Sequence, residues 1–546
     1  MSRLQRLFAM LALALVLAPL VASAPLFDPD EGLHAAIAQE MVQRGDYVTP
    51  TFMGVPFLDK PILFFWAEAA SLRLFGHNEA AVRIPPLLFG LLGMVTVAML
   101  GRSLFGESAG LIAGIVYGTM LLPMGVSEVA VHDVGLVPFM CVAALCLRRA
   151  ADAPWTSGIL AGVALGLSIL TKGLVGVVFA GIFATCLAVY RPSATVRLAM
   201  VLAIAAGVAA IVAAPWYIAM ERAHGGYLHY YFVERHLQGY LTATQRHAGR
   251  PWWYYVPIVI GGALPWTAYL AGAASSARAN PLRLVVWGWF AIGLVFLSIG
   301  ESKLVTYALP LFPALAIIIG EHIDRVTASG TRGVRFPWPE PHRRQAEDPL
   351  FTVAFATHAI ALALLPIFGL LVITLKFNET RPALWIGLIL GALVVLDTAR
   401  RAARSASAYA LVDGIVRMSA IAILGLTIVT PRAAAWMTAR DLAAALNKGG
   451  ALPSRVSVVD ERVGSLVFYL DPPLRAAVNA DRLNEASFAE AIARARVDPA
   501  DAVVAVRNTQ VARFNRLFSS PPVPVTTAGT FTLYRAGTLR DVLQGR

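Results

Sequence analysis

Residues 195–219 read TVRLAMVLAIAAGVAAIVAAPWYIA, with Arg197 as the single charged residue. A bilayer core of about 30 Å takes roughly 20 apolar residues as a helix. No soluble core needs such a stretch more than once, and this chain repeats it along most of its length. Further runs fall at 7–24, 82–103, 108–125, 130–149, 157–170, 173–190, 252–275, 282–298, 304–321, 350–375, 382–397 and 408–430. Composition agrees: 58% of the residues are hydrophobic and 14% charged, against about a quarter charged in soluble domains. The expectation is an all-α polytopic membrane protein with about thirteen transmembrane helices.

The formal charge of +12 does not indicate nucleic acid, because Lys and Arg collect in short loops between the runs rather than in one stripe. With Arg3 and Arg6 inside, the even-numbered spans return the chain to a basic cytoplasmic side. Arg102, Arg148-Arg149, Arg191, Arg278, Arg283, the 322–349 loop and Arg400-Arg401 lie there. An odd number of spans then puts the carboxyl tail outside. Ala22-Ser23-Ala24 mimics a signal-peptidase site, but residues 7–24 are read as an uncleaved first span. Cys141, Cys146 and Cys186 all sit in apolar runs and read as small buried hydrophobes.

Two outer loops are long. In residues 25–81, Glu31–Arg44 and Pro61–Phe75 read as amphipathic interfacial helices. Residues 220–251 place Tyr227, Tyr230, Tyr231 and Phe232 beside Glu234, Arg235 and His236. Past about Pro431 the composition turns soluble. Strand-like 456–459, 502–506 and 530–534 alternate with helical 439–446 and 488–495, a small α/β domain. The division is therefore a transmembrane part, 1–430, and an extracytoplasmic α/β domain, 431–546.

Chemistry-bearing residues gather on the outer side. Asp28-Pro29-Asp30-Glu31 follows the first span, and its acids serve either as helix caps or as a general base. Lys60, in Asp59-Lys60-Pro61, sits at the start of the second interfacial stretch, where a cation beside free N–H groups suits a phosphate or simply snorkels. His132-Asp133 stands inside a span, where an ionisable group points to function. Lys172 has the same character or ends a helix. His247 has no partner near it in sequence and gains interest only if Asp59 approaches it. Tyr307 follows Lys303 by about one helical turn.

Taken in order, these segments resemble the C-type glycosyltransferases of the protein O-mannosyltransferase superfamily, especially the bacterial branch containing lipid A aminoarabinose transferase. The matching pieces are Asp30-Glu31-Gly32-Leu33-His34-Ala35, Gly45-Asp46-Tyr47-Val48-Thr49-Pro50, Asp59-Lys60-Pro61 and Val82-Arg83-Ile84-Pro85. His132-Asp133, Leu170-Thr171-Lys172-Gly173, Pro215-Trp216-Tyr217, Arg250-Pro251-Trp252-Trp253-Tyr254-Tyr255, Leu264-Pro265-Trp266 and Ser302-Lys303-Leu304 complete the series.

The resemblance implies an outward-facing cavity and a polyprenyl-phosphate-sugar donor. Asp30 and Asp133 take the acidic catalytic roles, while Lys60, Tyr307 and Arg83 meet the carrier phosphate. Asp59 and His247 form a pair for a divalent metal (Mg, Mn or Zn). The branch usually has Glu at the position of Asp59, one methylene longer. The acceptor would be an envelope lipid, a glycan or a protein, and the location a bacterial inner membrane with the site facing the periplasm. A transporter or flippase of lipid-linked sugars, or a non-catalytic polyprenyl-lipid binder, is the rival reading. Neither an internal repeat nor midplane helix breaks, the marks of a transporter, stand out in the sequence.

Overall fold

The computed structural model describes residues 24–242, 248–328, 349–377, 382–404 and 408–544. The expected first span, 7–24, falls almost wholly outside them. Among the described residues, seven helices are long and apolar enough to cross a membrane: Glu79–Phe105, Pro154–Lys172, Thr195–Ala223, Pro281–Ile299, Val305–Thr327, Leu350–Leu375 and Pro382–Arg404. Glu107–Thr119 and Leu121–Ser127 make an eighth if counted as one span bent by 66°. The chain is a multi-pass membrane protein.

Small residues set how these helices meet. Gly158, Gly162 and Gly166 recur at four-residue spacing on the Pro154–Lys172 helix. A Cβ on them would stand 2.7, 2.5 and 2.6 Å from the Cβ atoms of Ile204, Val208 and Val212 on Thr195–Ala223. Such a stripe lets two backbones approach closely in a setting where hydrophobic driving force between helices is absent. It also fixes the helix that ends at Lys172.

One expected span is not a single helix. Residues 252–275 form a 3-10 turn at Trp252–Tyr254, a helix at Tyr255–Gly262 and another at Tyr269–Ser275. Pro265 lacks an N–H and interrupts the ladder. The carbonyl of Leu264, left without a helical partner, accepts from the Leu121 N–H at 2.9 Å.

The chain forms two compact units that do not divide at one position. One contains Leu58–Phe64 with Ile84–Val429; the other joins Ala22–Phe57 and Phe65–Arg83 to Thr430–Arg546. In the second unit the Asp30–Arg44 helix, read from sequence as interfacial, is packed in protein. Gly32, His34, Ala35, Ile37 and Met41 are buried, and the helix lies against Gly464–Tyr469. At the crossing, Gly32 leaves room for the Ser465 backbone, and a Cβ there would also stand 2.6 Å from the Asp28 carboxylate.

The rest of that unit is the α/β fold expected from the sequence. Its strands are β1 (Val456–Val459), β2 (Leu483–Ala486), β3 (Val503–Arg507), β4 (Thr526–Ala528) and β5 (Phe531–Arg535). They lie in the order β2-β1-β3-β5-β4, with β1 parallel to β2 and β3 and the remaining pairs antiparallel. Val504, Val506, Phe488, Phe514, Tyr534 and Leu539 fill its core. A capping box of Ser487 and Glu490 starts the Phe488–Val497 helix.

Candidate active site

Asp59 and Lys60 occupy a bend just before the Leu63–Phe75 helix. Pro61 precedes this helix rather than opening it. Both side chains are half-buried, and what surrounds them comes from His229–Gln238, a ten-residue π-helix. π-Geometry is rare and concentrates at functional sites. Here its effect is specific. At 3.6 residues per turn, positions five apart point about 140° away from each other, whereas an i→i+5 ladder stacks them. Tyr230 and Arg235 therefore reach the same carboxylate: the Tyr230 hydroxyl donates to Asp59 Oδ1 at 2.5 Å and Arg235 pairs with Oδ2 at 3.1 Å. Burial, then the bond to Asp59, pushes the Tyr230 phenol up to about 12, so it stays a donor at neutral pH.

The next pair on the same ladder, Tyr231 and His236, is also joined. His236 Nδ1 lies 2.8 Å from the Tyr231 carbonyl. Burial, with the Lys60 and Arg235 charges adding to it, holds the imidazole below its ordinary range, against the pull of its backbone hydrogen bonds. His236 is thus a neutral neighbour of Lys60. It packs against Gly173, whose φ of +72° and lack of a side chain both matter: a Cβ would stand 3.0 Å from the Tyr231 hydroxyl and closer still to the imidazole.

That turn delivers Lys172. Its ammonium pairs with Asp133 and lies 4.3 Å from the centre of the Tyr307 ring, a cation–π distance. The Lys172 and Asp133 side chains are 11% and 9% exposed, so the pair is shielded. Lys303 is buried and donates to the Arg250 carbonyl at 3.3 Å, which ties the start of the Arg250–Tyr255 segment to the approach to Tyr307. Asp59, Lys60, Asp133 and Tyr307, all candidates from sequence, therefore share one unit. Lys172, read from sequence either as a functional charge in a span or as a helix end, joins them, and the structure adds Tyr230, Arg235 and His236. Three cations, Lys60, Lys172 and Arg235, stand here among Asp59, Asp133 and the more exposed Glu234; Lys172 is paired with Asp133 and Arg235 with Asp59.

The metal pair fares differently. His247 lies outside the described residues. Both Asp59 oxygens are engaged, one by a guanidinium that never deprotonates. Among the described residues no three His, Cys, Asp or Glu side chains converge. Of the expected pair, the described Asp59 has its charge already matched by Arg235 and its other oxygen bonded to Tyr230.

Arg83 requires a correction. It belongs to the second unit and is spent on structure. Its guanidinium grips Glu31 with two hydrogen bonds of 2.7 Å and donates to the carbonyls of Ala24 at 2.5 Å and Pro25 at 2.9 Å. At 1% exposure it offers no face to a phosphate. A buried ion needs such a set of partners. Glu31 is likewise consumed. Glu68 is fully buried nearby, and burial, reinforced by the Glu31 charge, raises its carboxyl well above the usual range.

Asp28 is structural too. Oδ1 accepts from the Ser465 N–H at 3.0 Å and Oδ2 accepts from the Ser465 hydroxyl at 2.5 Å. Burial outweighs these bonds and raises its pKa from 3.8 to about 7. A raised acid favours the folded state fully below its unfolded pKa and loses that contribution as pH climbs toward 7. Thermal unfolding in detergent should therefore show lower stability at pH 8 than at pH 5, with Asp28→Asn flattening that slope; an unchanged slope would remove Asp28 as its source. One pKa unit is worth about 1.4 kcal/mol, so the effect is several kcal/mol at most. Of the three acids in 28–31, Asp30 alone is exposed; it opens the Asp30–Arg44 helix.

The polytopic scaffold, with an α/β unit after it, is the C-type glycosyltransferase fold. The chain aligns over 98% of its length with 98% of the structure of ArnT from Cupriavidus metallidurans bound to undecaprenyl phosphate, with a TM-score of 0.74 and 22% identity. Residues 59–218 match the family described as dolichyl-phosphate-mannose-protein mannosyltransferase.

Among curated proteins it is similar to the undecaprenyl phosphate-alpha-4-amino-4-deoxy-L-arabinose arabinosyl transferase of Enterobacter sp. (strain 638), 32% identical over 56% of each chain. The protein of the same description from Erwinia tasmaniensis is 31% identical over 62% of each. The chain thus spans somewhat more than half the length of the curated relatives it matches.

Proposed function

We propose that this protein is a membrane glycosyltransferase that moves a sugar from a polyprenyl-phosphate carrier to an acceptor on the outer face of a bacterial inner membrane. The observation that carries the reading is the gathering of three cations at one site, where Lys172 and Arg235 are paired with Asp133 and Asp59 and Lys60 stands beside them to meet a phosphate. The names of the relatives support it: each arabinosyl transferase is named for an undecaprenyl phosphate sugar, and the ArnT structure holds undecaprenyl phosphate. The positive-inside pattern supports a site facing the periplasm.

The chemistry then follows from charge. The bond between the anomeric carbon and the carrier phosphate breaks, and its electrons leave with the phosphate. An acceptor oxygen bonds to that carbon and gives up its proton. Lys60 meets the charge growing on the leaving phosphate, the kind of stabilisation that counts most in a shielded site. The resemblance assigns orientation of the acceptor hydroxyl, and its proton, to Asp30; an acceptor that is itself a phosphate needs only the orientation. Asp133, neutralised by Lys172, keeps that ammonium fixed over Tyr307, and the Tyr307 hydroxyl serves the carrier phosphate.

Lys60→Ala tests the phosphate site. A hydrogen bond to a charged group is worth about 1.5–3 kcal/mol, so undecaprenyl phosphate should bind roughly ten- to a hundredfold more weakly. Lys60→Arg should restore part of the affinity, since the charge stays but its shape changes. Equal binding by wild type and Lys60→Ala would leave Lys60 a snorkelling charge.

A further inference from the structure

The Asp59 carboxylate already has a cation, and that cation is built into the chain. We propose that Arg235 is the resident counter-charge of the phosphate site, replacing a divalent metal, so that carrier binding is metal-independent in this protein. The inference rests on the phosphate-site reading above and specifies its electrostatics.

Three observations lead to it. The first is occupancy of the carboxylate: Arg235 at 3.1 Å on Oδ2 and the Tyr230 hydroxyl at 2.5 Å on Oδ1. A metal approaching here meets a carboxylate whose charge is already matched by a guanidinium, which would repel it. The guanidinium cannot step aside by losing its proton, as a histidine or lysine could. The second is how Arg235 is held. The π-helix His229–Gln238 places Tyr230 and Arg235 in register on one carboxylate, which an α-helical turn of the same sequence would not do. An aromatic wall of Tyr217, Tyr227, Tyr231 and Phe232, with neighbouring ring centroids 5.1 to 6.2 Å apart, backs this turn and limits how far it can move.

The third observation is the charge balance. Lys60 acts electrostatically on His236, as does Arg235, and the imidazole is held neutral. With Glu234 also acting on Tyr230, Lys60 and Arg235 face two carboxylates; because Arg235 is the cation paired with Asp59, the Lys60 ammonium is not spent there and can meet a phosphate. Asp59 thus orients Arg235, and Arg235 is a positioning and charge-supplying residue rather than one that exchanges protons.

Two measurements on the purified full-length protein test this. In the first, chelator-treated wild type and Arg235→Ala are titrated with zinc and with manganese, and bound metal is counted after desalting. Wild type should retain no stoichiometric metal, and Arg235→Ala should take up more than wild type, because Asp59 is then uncovered. Stoichiometric uptake by wild type that is lost in Asp59→Asn would overturn the proposal.

In the second, undecaprenyl phosphate binding is measured with chelator and with added zinc. Affinity should agree within about twofold between the two conditions. It should fall at least tenfold in Arg235→Gln and recover in part in Arg235→Lys, each variant first shown monodisperse and helical. Binding that vanishes with chelator and returns with zinc would contradict the proposal. Failure of wild type to bind under every condition would instead refute the phosphate-site reading, while the metal count would still decide whether Arg235 or a metal neutralises Asp59.

Discussion

Asp30→Asn should reduce sugar transfer by about 10²- to 10⁴-fold, the usual worth of a positioned acid or base, with little change in thermal stability. The substitution keeps the shape and removes the charge. Its neighbours make the test clean. Asp28 is tied to Ser465 and Glu31 to Arg83, whereas Asp30 is exposed at the helix start and makes no side-chain capping bond there. Asp28→Asn should therefore alter stability more than turnover, and Asp30→Asn the reverse. Transfer at the wild-type rate by Asp30→Asn would reduce Asp30 to a first-turn charge.

Glu31→Gln should destabilise the fold by about 3–5 kcal/mol, since it leaves the buried Arg83 guanidinium without its counter-ion. The readout is the unfolding midpoint in detergent, together with monodispersity on extraction. Replacing both partners by apolar residues, as in Glu31→Leu with Arg83→Met, should recover much of the loss, because no buried charge is then orphaned. A carrier-binding Arg83 predicts the opposite pattern: Arg83 variants that fold normally and lose affinity for undecaprenyl phosphate. The four hydrogen bonds of this guanidinium favour the first outcome.

The membrane architecture was legible because one physical requirement, burying about twenty consecutive residues in lipid, writes itself along the chain. The α/β strands at 456–459, 503–507 and 531–535 were legible through their short apolar runs. The division into units was not. Nothing local in Gly32 says that it meets Ser465, since that close approach needs two glycines, Gly32 and Gly464, more than 400 residues apart.

The site was readable in part for a similar reason. Asp59, Lys60, Asp133 and Tyr307 stood out as polar groups at the margins of apolar runs. Arg235 and Tyr230 did not, because their five-residue spacing means nothing on an α-helix and acquires meaning only on a π-helix. Arg83 misled for the converse reason: an arginine beside a membrane segment looks available until its partner Glu31, 52 positions away, is seen to occupy it. Lys172 signalled itself as an ionisable group at a span, or as a helix end; what local sequence did not say is that the glycine after it, with a left-handed φ, turns the chain past His236.

Bond-making chemistry on a lipid-borne sugar phosphate can be followed in a single assay. Purified protein is incubated with polyprenyl-phosphate sugars labelled in the sugar, together with a bacterial envelope extract as the source of acceptor. Label should leave the carrier, appear on an extract component and be matched by released polyprenyl phosphate. Wild type should do this and Asp30→Asn should not. Intact labelled carrier after prolonged incubation with every sugar tried, while the same protein carries that lipid from one leaflet of a vesicle to the other, would contradict it and make the protein a transporter.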